Sequence, residues 1–334
     1  MLPVQVAPIA LFVYNRLEHV RRTVESLQAN KLAQQSNLFF FGDGAKNDSA
    51  ASAVEAVRNF VRTIEGFKSV TLIERERNFG SVASVMTGVT QLAEKFGRVI
   101  VVEDDLLTAS DFLTFMNCAL DRYRNEPRVF SVSGFNFAVN PPDDYLYDVF
   151  CSCRCSTWGW GTWKDRWEKV DWSVSDFGEF RREKVRQRLF NRGGEDLSRM
   201  LRLQMAGKIN CWDIRWAYAH FTHNAATLLP VVSKVYNTGL DGSGLHCRLP
   251  LYKQHALRPE GNTNYRFLDS IIPQHYFSRQ IRRHHHRSLA RKVARYLYDE
   301  MGLSRGMALI SAWRDIAIRQ FRTLGARDDQ LSRR

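Results

Sequence analysis

Short apolar runs alternate with helical segments over the first hundred residues, and this alternation constrains the fold more than any other feature. The first run is continuously apolar, as in a strand that is buried on both faces of a sheet. The runs cover residues 9–14, 38–41, 70–73 and 99–102, and the helical segments between them cover residues 17–30, 50–65 and 81–96. The pattern predicts an α/β fold with a doubly wound, mostly parallel sheet and right-handed crossovers.

Polar side chains directly follow three of these predicted strands. Arg16 comes after the first, Asp43 after the second, and Glu103-Asp104-Asp105 after the fourth. Doubly wound sheets bind their ligands beyond the carboxyl ends of the strands. We therefore take these residues as candidates for the ligand site.

The net charge of +13 is spread unevenly along the 334 residues. Residues 279–334 hold 14 Lys and Arg against 5 Asp and Glu, which leaves 34 against 30 for the rest of the chain. We predict one α/β domain over residues 1–278 and a basic helical appendage over residues 279–334. Because the basicity belongs to the tail, we expect no nucleic acid partner.

The N-terminal segment and the cysteines bear on the compartment. The apolar run at residues 9–14 lacks a preceding basic region and is too short to span a bilayer, as are all later apolar segments. Six cysteines without CxxC spacing do not indicate a zinc site and suit small buried side chains in a reducing compartment. Cys151, Cys153 and Cys155 would share one face of any strand they form. We expect a cytoplasmic protein, or one peripheral on the inner face of the membrane.

Three consecutive carboxylates, Glu103, Asp104 and Asp105, end the fourth predicted strand. Adjacent acids repel one another, and burying them without a cation is costly. A divalent metal together with a diphosphate would supply both charge and ligands, and oxygen-only ligation favours Mn²⁺ or Mg²⁺ over zinc. The alternative is an acidic helix start that the helix dipole stabilises.

Two tryptophan motifs follow in the second half. Trp158 and Trp160 interleave with glycines, so their indoles are candidate platforms for a sugar face, or else a corner of the aromatic core. Asp213 stands between Trp212 and Ile214, where apolar neighbours can raise the pKa of a carboxylate toward that of a general base. The alternative is a buried pair between Asp213 and Arg215.

A glycine-rich segment closes this half of the chain. Ser233 and Lys234 precede residues 237–246, which contain Gly242, Ser243 and His246. Hydroxyl, ammonium and imidazole groups around a glycine loop can hold phosphate oxygens or a metal. All five residues are therefore candidate ligand contacts.

In this order, the motifs resemble those of inverting glycosyltransferases with the GT-A fold, most specifically the N-acetylglucosaminyltransferase I family and its bacterial relatives. The resemblance covers roughly residues 5–250. It is carried by residues 102–106 with Asp111-Phe112, by Ser131-Val132-Ser133, by Trp212-Asp213, and by Ser233-Lys234 with the glycine loop.

The resemblance implies a role for each matched position. Arg16 would lie near the nucleotide, and Asp43 would contact the uracil. Asp105 would be the sole direct protein ligand of the metal, while Glu103 and Asp104 would contact the ribose and the donor sugar. Asp213 would be the catalytic base, and His246 is a candidate metal ligand because many enzymes of this fold use a late histidine.

The resemblance also implies a function and divides the domain. Residues 1–110 would form a nucleotide-binding half and residues 111–278 an acceptor half. The enzyme would move a sugar from a nucleoside-diphosphate donor, expected to be UDP-linked, to a hydroxyl of a glycan or lipid-linked acceptor. Transfer would proceed with inversion and a divalent metal, in surface polysaccharide synthesis.

Two other classes of protein share some of these features. A sugar-nucleotide pyrophosphorylase would need a glycine- and basic-rich loop after the first strand, which residues 13–18 lack. A non-catalytic protein that binds glycans or membranes would need neither the acidic triplet nor Trp212-Asp213.

The basic tail contains two amphipathic patterns. Leu289, Val293, Tyr296 and Leu297 share one helical face, and Ile310, Trp313, Ala317 and Phe321 share another. Basic amphipathic helices bind anionic membrane surfaces. The tail is therefore expected either to contact such a surface or to pack on the domain with its charges solvated.

Overall fold

A computed structural model describes residues 6–241, 254–258, 261–262 and 264–285. The candidate ligands Gly242, Ser243 and His246 lie outside these ranges, and so do residues 286–334 of the tail. Their expected roles stay predictions.

A central sheet of eight strands and a separate pair of strands form the β-structure of the described residues. The strands are β1 (Ile9–Val13), β2 (Asn37–Gly42), β3 (Ser69–Glu74), β4 (Arg98–Glu103), β5 (Leu106–Thr108), β6 (Val129–Ser133), β7 (Val149–Ser152), β8 (Trp160–Trp163), β9 (Ala226–Pro230) and β10 (Val235–Asn237). The sheet order is β3-β2-β1-β4-β8-β6-β9-β7, and β10 pairs with β5. Only β8 and β7 run against the other six strands, so the sheet is mostly parallel.

Ten α-helices accompany these strands in the described ranges. They are α1 (Leu17–Gln28), α2 (Asp48–Val61), α3 (Gly80–Phe96), α4 (Phe112–Arg122), α5 (Lys164–Trp167), α6 (Phe177–Arg182), α7 (Lys184–Phe190), α8 (Leu197–Met205), α9 (Asp213–Thr222) and α10 (His275–His285). The first four strands and first three helices match the sequence prediction to within four residues at each boundary. The predicted α/β fold with a mostly parallel sheet is confirmed.

Helices cover both faces of the sheet because its central strands are apolar on both sides. In β1, Ile9 and Leu11 face a core shared with α1, α2 and α4, whereas Ala10 and Phe12 face a core shared with α3 and α9. All five residues of β1 are buried. Because β1 runs parallel to both of its neighbours, β2 and β4, the carboxyl ends of these three strands lie at the same edge of the sheet.

Residues 174–218 contribute a third, smaller core. Phe180 of α6, Phe190 of α7 and Leu201 of α8 pack against Ile214 and Tyr218 of α9. A short 3-10 turn at Asn191–Gly193, followed by Gly194, separates α7 from α8. The smaller core anchors α6–α8 to the helix that begins at Asp213.

Strand β7 ends at Ser152, so Cys153 and Cys155 do not continue the strand face that their spacing suggested. The described cysteines are free thiols.

The described residues up to His284 form one compact unit. Helix α10 runs through position 278, where the sequence analysis placed the domain boundary. A helix long and apolar enough to cross a bilayer does not occur in the described ranges.

Candidate active site

The acidic triplet lies where β4 ends beside β1, and Arg16 reaches it from the start of α1. Glu103 is in register with Phe12 of β1. Arg16 donates from Nη2 to Asp105 Oδ2 at 2.9 Å and from Nε to Asp104 Oδ2 at 3.3 Å, and Nη2 also pairs with Asp104 Oδ1. Its Nη1 is buried without a hydrogen-bond partner. Arg16 is therefore the counter-ion of the triplet and keeps one donor free for a ligand oxygen.

The carboxylates outnumber the cations at this edge of the sheet. Burial raises the pKa of Glu103 to about 8, and the charges of Asp105, Asp104 and Asp213 add to the shift. Burial also raises the pKa of Asp104, against the opposing effect of Arg16. Burial alone would lower the pKa of Arg16, but its hydrogen bonds and charge interactions with Asp104 and Asp105 outweigh that effect and raise it. The raised pKa values of Glu103 and Asp104 indicate that Arg16 alone does not compensate the negative charge of the buried carboxylates.

Asp213 approaches this cluster from the start of α9. It is the first residue of α9, half-buried, and close enough to Glu103 to affect its pKa. The Cys211 thiol donates a hydrogen bond to Asp213 Oδ1. Burial and the charge of Asp213 raise the pKa of Cys211, so this thiol stays protonated and remains a donor.

The alternative pair between Asp213 and Arg215 does not form. Arg215 instead donates from Nη1 to the carbonyl of Trp172 at 3.1 Å. The contact recorded for the Asp213 carboxylate is therefore the one from Cys211 to Oδ1. The sequence analysis did not predict this contact of Cys211. Its position two residues before Asp213 was the signal that could have indicated it.

Backbone and hydroxyl contacts hold the triplet in place. The Thr238 amide and hydroxyl both donate to the Asp105 carbonyl, at 2.8 and 3.0 Å. The buried Thr23 hydroxyl donates to the Asp104 carbonyl at 2.8 Å. A Cβ on Gly239 would lie 2.0 Å from Asp105 Oδ2, so only glycine fits against this carboxylate. None of these three positions was singled out from the sequence.

The two tryptophans of the glycine-interleaved motif have different surroundings. Trp160 is 1% exposed and stacks on Trp212 with the ring centroids 5.4 Å apart. It is a core residue with no face open to a sugar, because β8 is buried on both sides. Trp158 is half-buried and makes an edge-to-face contact with Phe135 at 4.6 Å. Trp158 alone stays a candidate platform, and Trp160 instead supports the residue next to Asp213.

Ser233 and Lys234 are occupied inside the protein. The Ser233 hydroxyl donates to the Val235 carbonyl at 2.8 Å and accepts from the Asn136 amide at 3.2 Å. Lys234 Nζ pairs with Asp111 Oδ2 at 2.5 Å, and both side chains are at most 10% exposed. In this geometry the polar groups of the two residues are bound to the protein next to β10 and do not face a phosphate. The charge of Lys234 compensates that of Asp111, which explains why Asp111 can be buried.

Asp43 organises the loop before α3. Its carboxylate accepts from the amides of Phe79 at 2.8 Å, Gly80 at 2.9 Å and Gly44 at 3.0 Å. The backbone of Arg77 passes 2.4 Å from where a Cβ on Gly44 would lie, so the approach of the two loops requires glycine there. Asp43 therefore fixes residues 77–80 beside the end of β2, and its contact with uracil stays a prediction.

The side chains of this site can be compared with those that the metal implied by the resemblance would need as ligands. Across the described ranges, no group of three or more His, Cys, Asp or Glu side chains forms a site that could hold a metal ion. A metal that takes one carboxylate ligand and completes its shell with diphosphate oxygens needs no such cage. The surplus of buried carboxylate beside Asp105 fits a group of that kind.

Comparisons with known proteins place the chain in a family. The model of the GNT-I family matches residues 3–188, while curated proteins give no match. Among solved structures, the mannosyltransferase PcManGT from Pyrobaculum calidifontis in complex with GDP-Man and Mn²⁺ is 15% identical, with a TM-score of 0.36 over 66% of this chain and 70% of that chain. TarS from S. aureus is 10% identical, with a TM-score of 0.36 over 69% of this chain and 36% of TarS. At such identities and scores, neither structure informs on the donor or the metal of this chain.

The family match covers more than half of the chain, including the acidic triplet and both motif tryptophans. It ends before Asp213, whose assignment rests on its position beside Glu103. The mostly parallel sheet and the acids at the end of β4 agree with the match. The chain therefore belongs to the GNT-I family and is a glycosyltransferase of the GT-A fold.

Proposed function

We propose that this glycosyltransferase moves a sugar from a nucleoside-diphosphate donor, UDP-linked, to a hydroxyl of a glycan or lipid-linked acceptor, with inversion at the anomeric carbon. One observation carries the proposal. Glu103, Asp104 and Asp105 lie together where β4 ends, Asp213 is close enough to Glu103 to raise its pKa, and Arg16 pairs with Asp104 and Asp105. A carboxylate-rich site of this kind suits a diphosphate that arrives with a divalent cation.

The residues of the chain divide the work between donor and acceptor. Arg16 holds Asp104 and Asp105 in place and offers its unpartnered Nη1 to a donor oxygen. Asp213 accepts the proton of the acceptor hydroxyl on Oδ2, since Oδ1 already accepts from Cys211. The hydroxyl oxygen then attacks the anomeric carbon as the bond to the nucleoside diphosphate breaks.

A divalent metal belongs to the proposal, with Mn²⁺ or Mg²⁺ as the candidates. Asp105 would hold it, because its side chain is half-buried, Thr238 fixes its backbone carbonyl, and Gly239 leaves room for its carboxylate. Such a metal neutralises the charge that develops on the departing diphosphate.

Inversion follows from the number of carboxylates on the acceptor side. A double displacement would want a second carboxylate as nucleophile, by analogy with retaining glycosidases. Asp213 is the carboxylate that α9 brings to the cluster, whereas the triplet faces the donor side. We place the reaction in surface polysaccharide synthesis on the strength of the family resemblance.

Nucleotide-sugar binding to the full-length protein tests the proposal. A ligand that binds the folded state at about 100 times its dissociation constant stabilises it by about 2.7 kcal/mol, which raises the melting temperature by on the order of 4 °C. We expect this rise with a UDP-sugar plus Mn²⁺, and not with either component alone. Asp105→Asn should abolish the rise and the transfer activity.

Asp143→Asn is the matched control, because Asp143 lies exposed in a turn and carries the same charge. It should retain the thermal shift and the activity. Wild-type turnover of Asp105→Asn in the presence of Mn²⁺ would show that the metal assignment is wrong.

A further inference from the structure

Two aliphatic side chains stand exposed on one face of α7. Val185 is 67% exposed and Leu189 is 38% exposed. They lie four residues apart, so they share one side of the helix. We call residues 179–192, which comprise most of α6, all of α7 and the turn after it, the α6–α7 face.

Five exposed cations lie in the same segment as these two side chains. Arg181, Arg182, Lys184, Arg188 and Arg192 are all exposed, and Lys184 and Arg188 flank the aliphatic pair at helical spacing. Within the described residues none of the five forms an ion pair. The exposed carboxylates on this face are Glu179 and Glu183, so a surplus of positive charge remains.

One further arginine of this segment is excluded from the surplus. Arg186 pairs with Asp176 and donates to the Tyr218 hydroxyl at 3.1 Å. This pair ties α7 to α9 and leaves the five exposed cations directed to solvent. The charge of the face is therefore separate from the contacts that hold the helices together.

The opposite side of the same helices is firmly packed. Phe180 and Phe190 are at most 3% exposed, and each meets the Tyr218 ring edge-to-face, at 5.1 and 5.5 Å. Ile214 lies in the same core, directly after Asp213. Whatever the α6–α7 face contacts is thus held at a defined position relative to the start of α9.

We propose that the α6–α7 face docks on an anionic lipid bilayer, with Val185 and Leu189 entering the headgroup region and the five cations contacting lipid phosphates. Charge complementarity selects an anionic partner. The exposed aliphatic pair selects a bilayer over an acidic glycan, because only the bilayer removes apolar surface from water. The docking would set the acceptor half against the membrane.

This inference goes beyond the proposed chemistry and does not depend on it. Its test contains no nucleotide sugar, so it can fail while the transfer reaction stands. It also concerns the surface of residues 179–192 and not the basic tail at residues 279–334.

Sedimentation of the full-length chain with vesicles tests the proposal. The vesicles are phosphatidylglycerol with phosphatidylcholine, or phosphatidylcholine alone, at low salt. One variant combines Arg181→Gln, Arg182→Gln and Arg188→Gln, and a second combines Val185→Ser and Leu189→Ser. We expect each to lower the partition coefficient on anionic vesicles, the first by about tenfold or more.

Each variant has a matched control on another surface. Lys31→Gln, Lys68→Gln and Lys95→Gln together remove the same charge, from exposed positions of the nucleotide-binding half. Leu146→Ser with Ile272→Ser removes two aliphatic side chains that are 68% and 61% exposed. Both controls should bind like the wild-type protein, and unchanged melting temperatures would show that all variants fold.

Two outcomes overturn the proposal. The first is that both variants bind like their controls, whether through other basic segments or not at all. The second is that only the charge variant loses binding. That result would mean a purely electrostatic contact, as with an acidic glycan, and would remove the bilayer assignment.

Discussion

At Asp213, one carboxylate oxygen is already engaged before any acceptor arrives. The Cys211 thiol donates to Oδ1, and the stack of Trp212 on the buried Trp160 holds the preceding residue. These contacts restrain both the side chain and the backbone of Asp213. A base that is held in one orientation needs no rearrangement to take the acceptor proton.

Replacement of this carboxylate should separate chemistry from donor binding. We expect Asp213→Asn to lower kcat by about 10²- to 10⁴-fold, because the amide cannot accept the proton. The thermal shift with nucleotide sugar and Mn²⁺ should persist, since the role proposed for Asp213 concerns the acceptor. Asp165→Asn, at a carboxylate that is 63% exposed, is the control and should retain full activity.

Steady-state rates and thermal shifts on the same preparations decide the role. Normal turnover combined with loss of the donor-dependent shift would reassign Asp213 to the donor site. Normal values of both would contradict any role in the site.

At the scale of elements, a buried ion pair joins β10 to α4. Lys234 precedes β10 and pairs with Asp111, which precedes α4. Asp111 Oδ2 also accepts from the Asn262 amide at 2.8 Å and the Tyr265 hydroxyl at 2.9 Å. One carboxylate therefore connects three segments that are far apart in the sequence, and β10 in turn pairs with β5 directly after the acidic triplet.

Removal of the lysine should destabilise the fold rather than weaken donor binding. Lys234→Met leaves Asp111 buried without its cation, which costs about 3 kcal/mol in the free energy of unfolding. Urea denaturation measures this loss. Lys164→Met is the control, because its pair with Glu168 is 45% and 54% exposed and contributes well under about 1 kcal/mol.

The donor-dependent thermal shift distinguishes the two roles of Lys234. The folded fraction of Lys234→Met should keep it. A variant of wild-type stability that has lost the shift would instead support the phosphate contact expected from the sequence.

At the scale of the whole molecule, a buried histidine links global stability to pH. His220 of α9 is 1% exposed, and burial lowers its pKa to about 4. Its Nδ1 lies 2.8 Å from the Trp216 carbonyl and must donate, so Nε2 accepts from the Ser131 hydroxyl at 3.0 Å. Protonation of Nε2 would remove the acceptor that connects α9 to β6.

The sign of the pH effect follows from this lowered pKa. An unfolded histidine titrates near pH 6.5, so between pH 6.5 and 4 the unfolded chain binds more protons than the folded one. The contribution is complete above pH 6.5 and is lost as the pH falls toward 4. We expect a loss of about 3 kcal/mol across this window, at about 1.4 kcal/mol per pH unit.

Urea denaturation at pH 7 and pH 4.5 checks the expectation. His220→Gln should show a flatter dependence on pH than the wild-type protein. His275→Gln, at an exposed position at the start of α10, should keep the wild-type dependence. Equal slopes for the two variants would contradict the role of His220.

The local pattern of the sequence was sufficient to predict the strands and helices of the first hundred residues. Continuous apolar runs predicted β1–β4, and three- and four-residue spacing predicted α1–α3, because burial on two faces or one leaves a periodic trace in the chain. The position of Glu103–Asp105 at a strand end was equally local. The meeting of this triplet with the end of β1 then followed from the rules of parallel sheets.

Only the tertiary structure decided which side chains are free to act. Trp158 and Trp160 are alike in sequence, yet packing buries one and leaves the other half-exposed. Lys234 pairs with Asp111, which lies 123 residues away in the sequence. The Asp43 carboxylate accepts hydrogen bonds from the amides of residues 79–80. Hydrogen-bond partners of this kind are chosen by proximity in space, which residue types and their spacing do not encode. For that reason the sequence identified the acids of the site, whereas the fold determined which neighbouring groups are already taken.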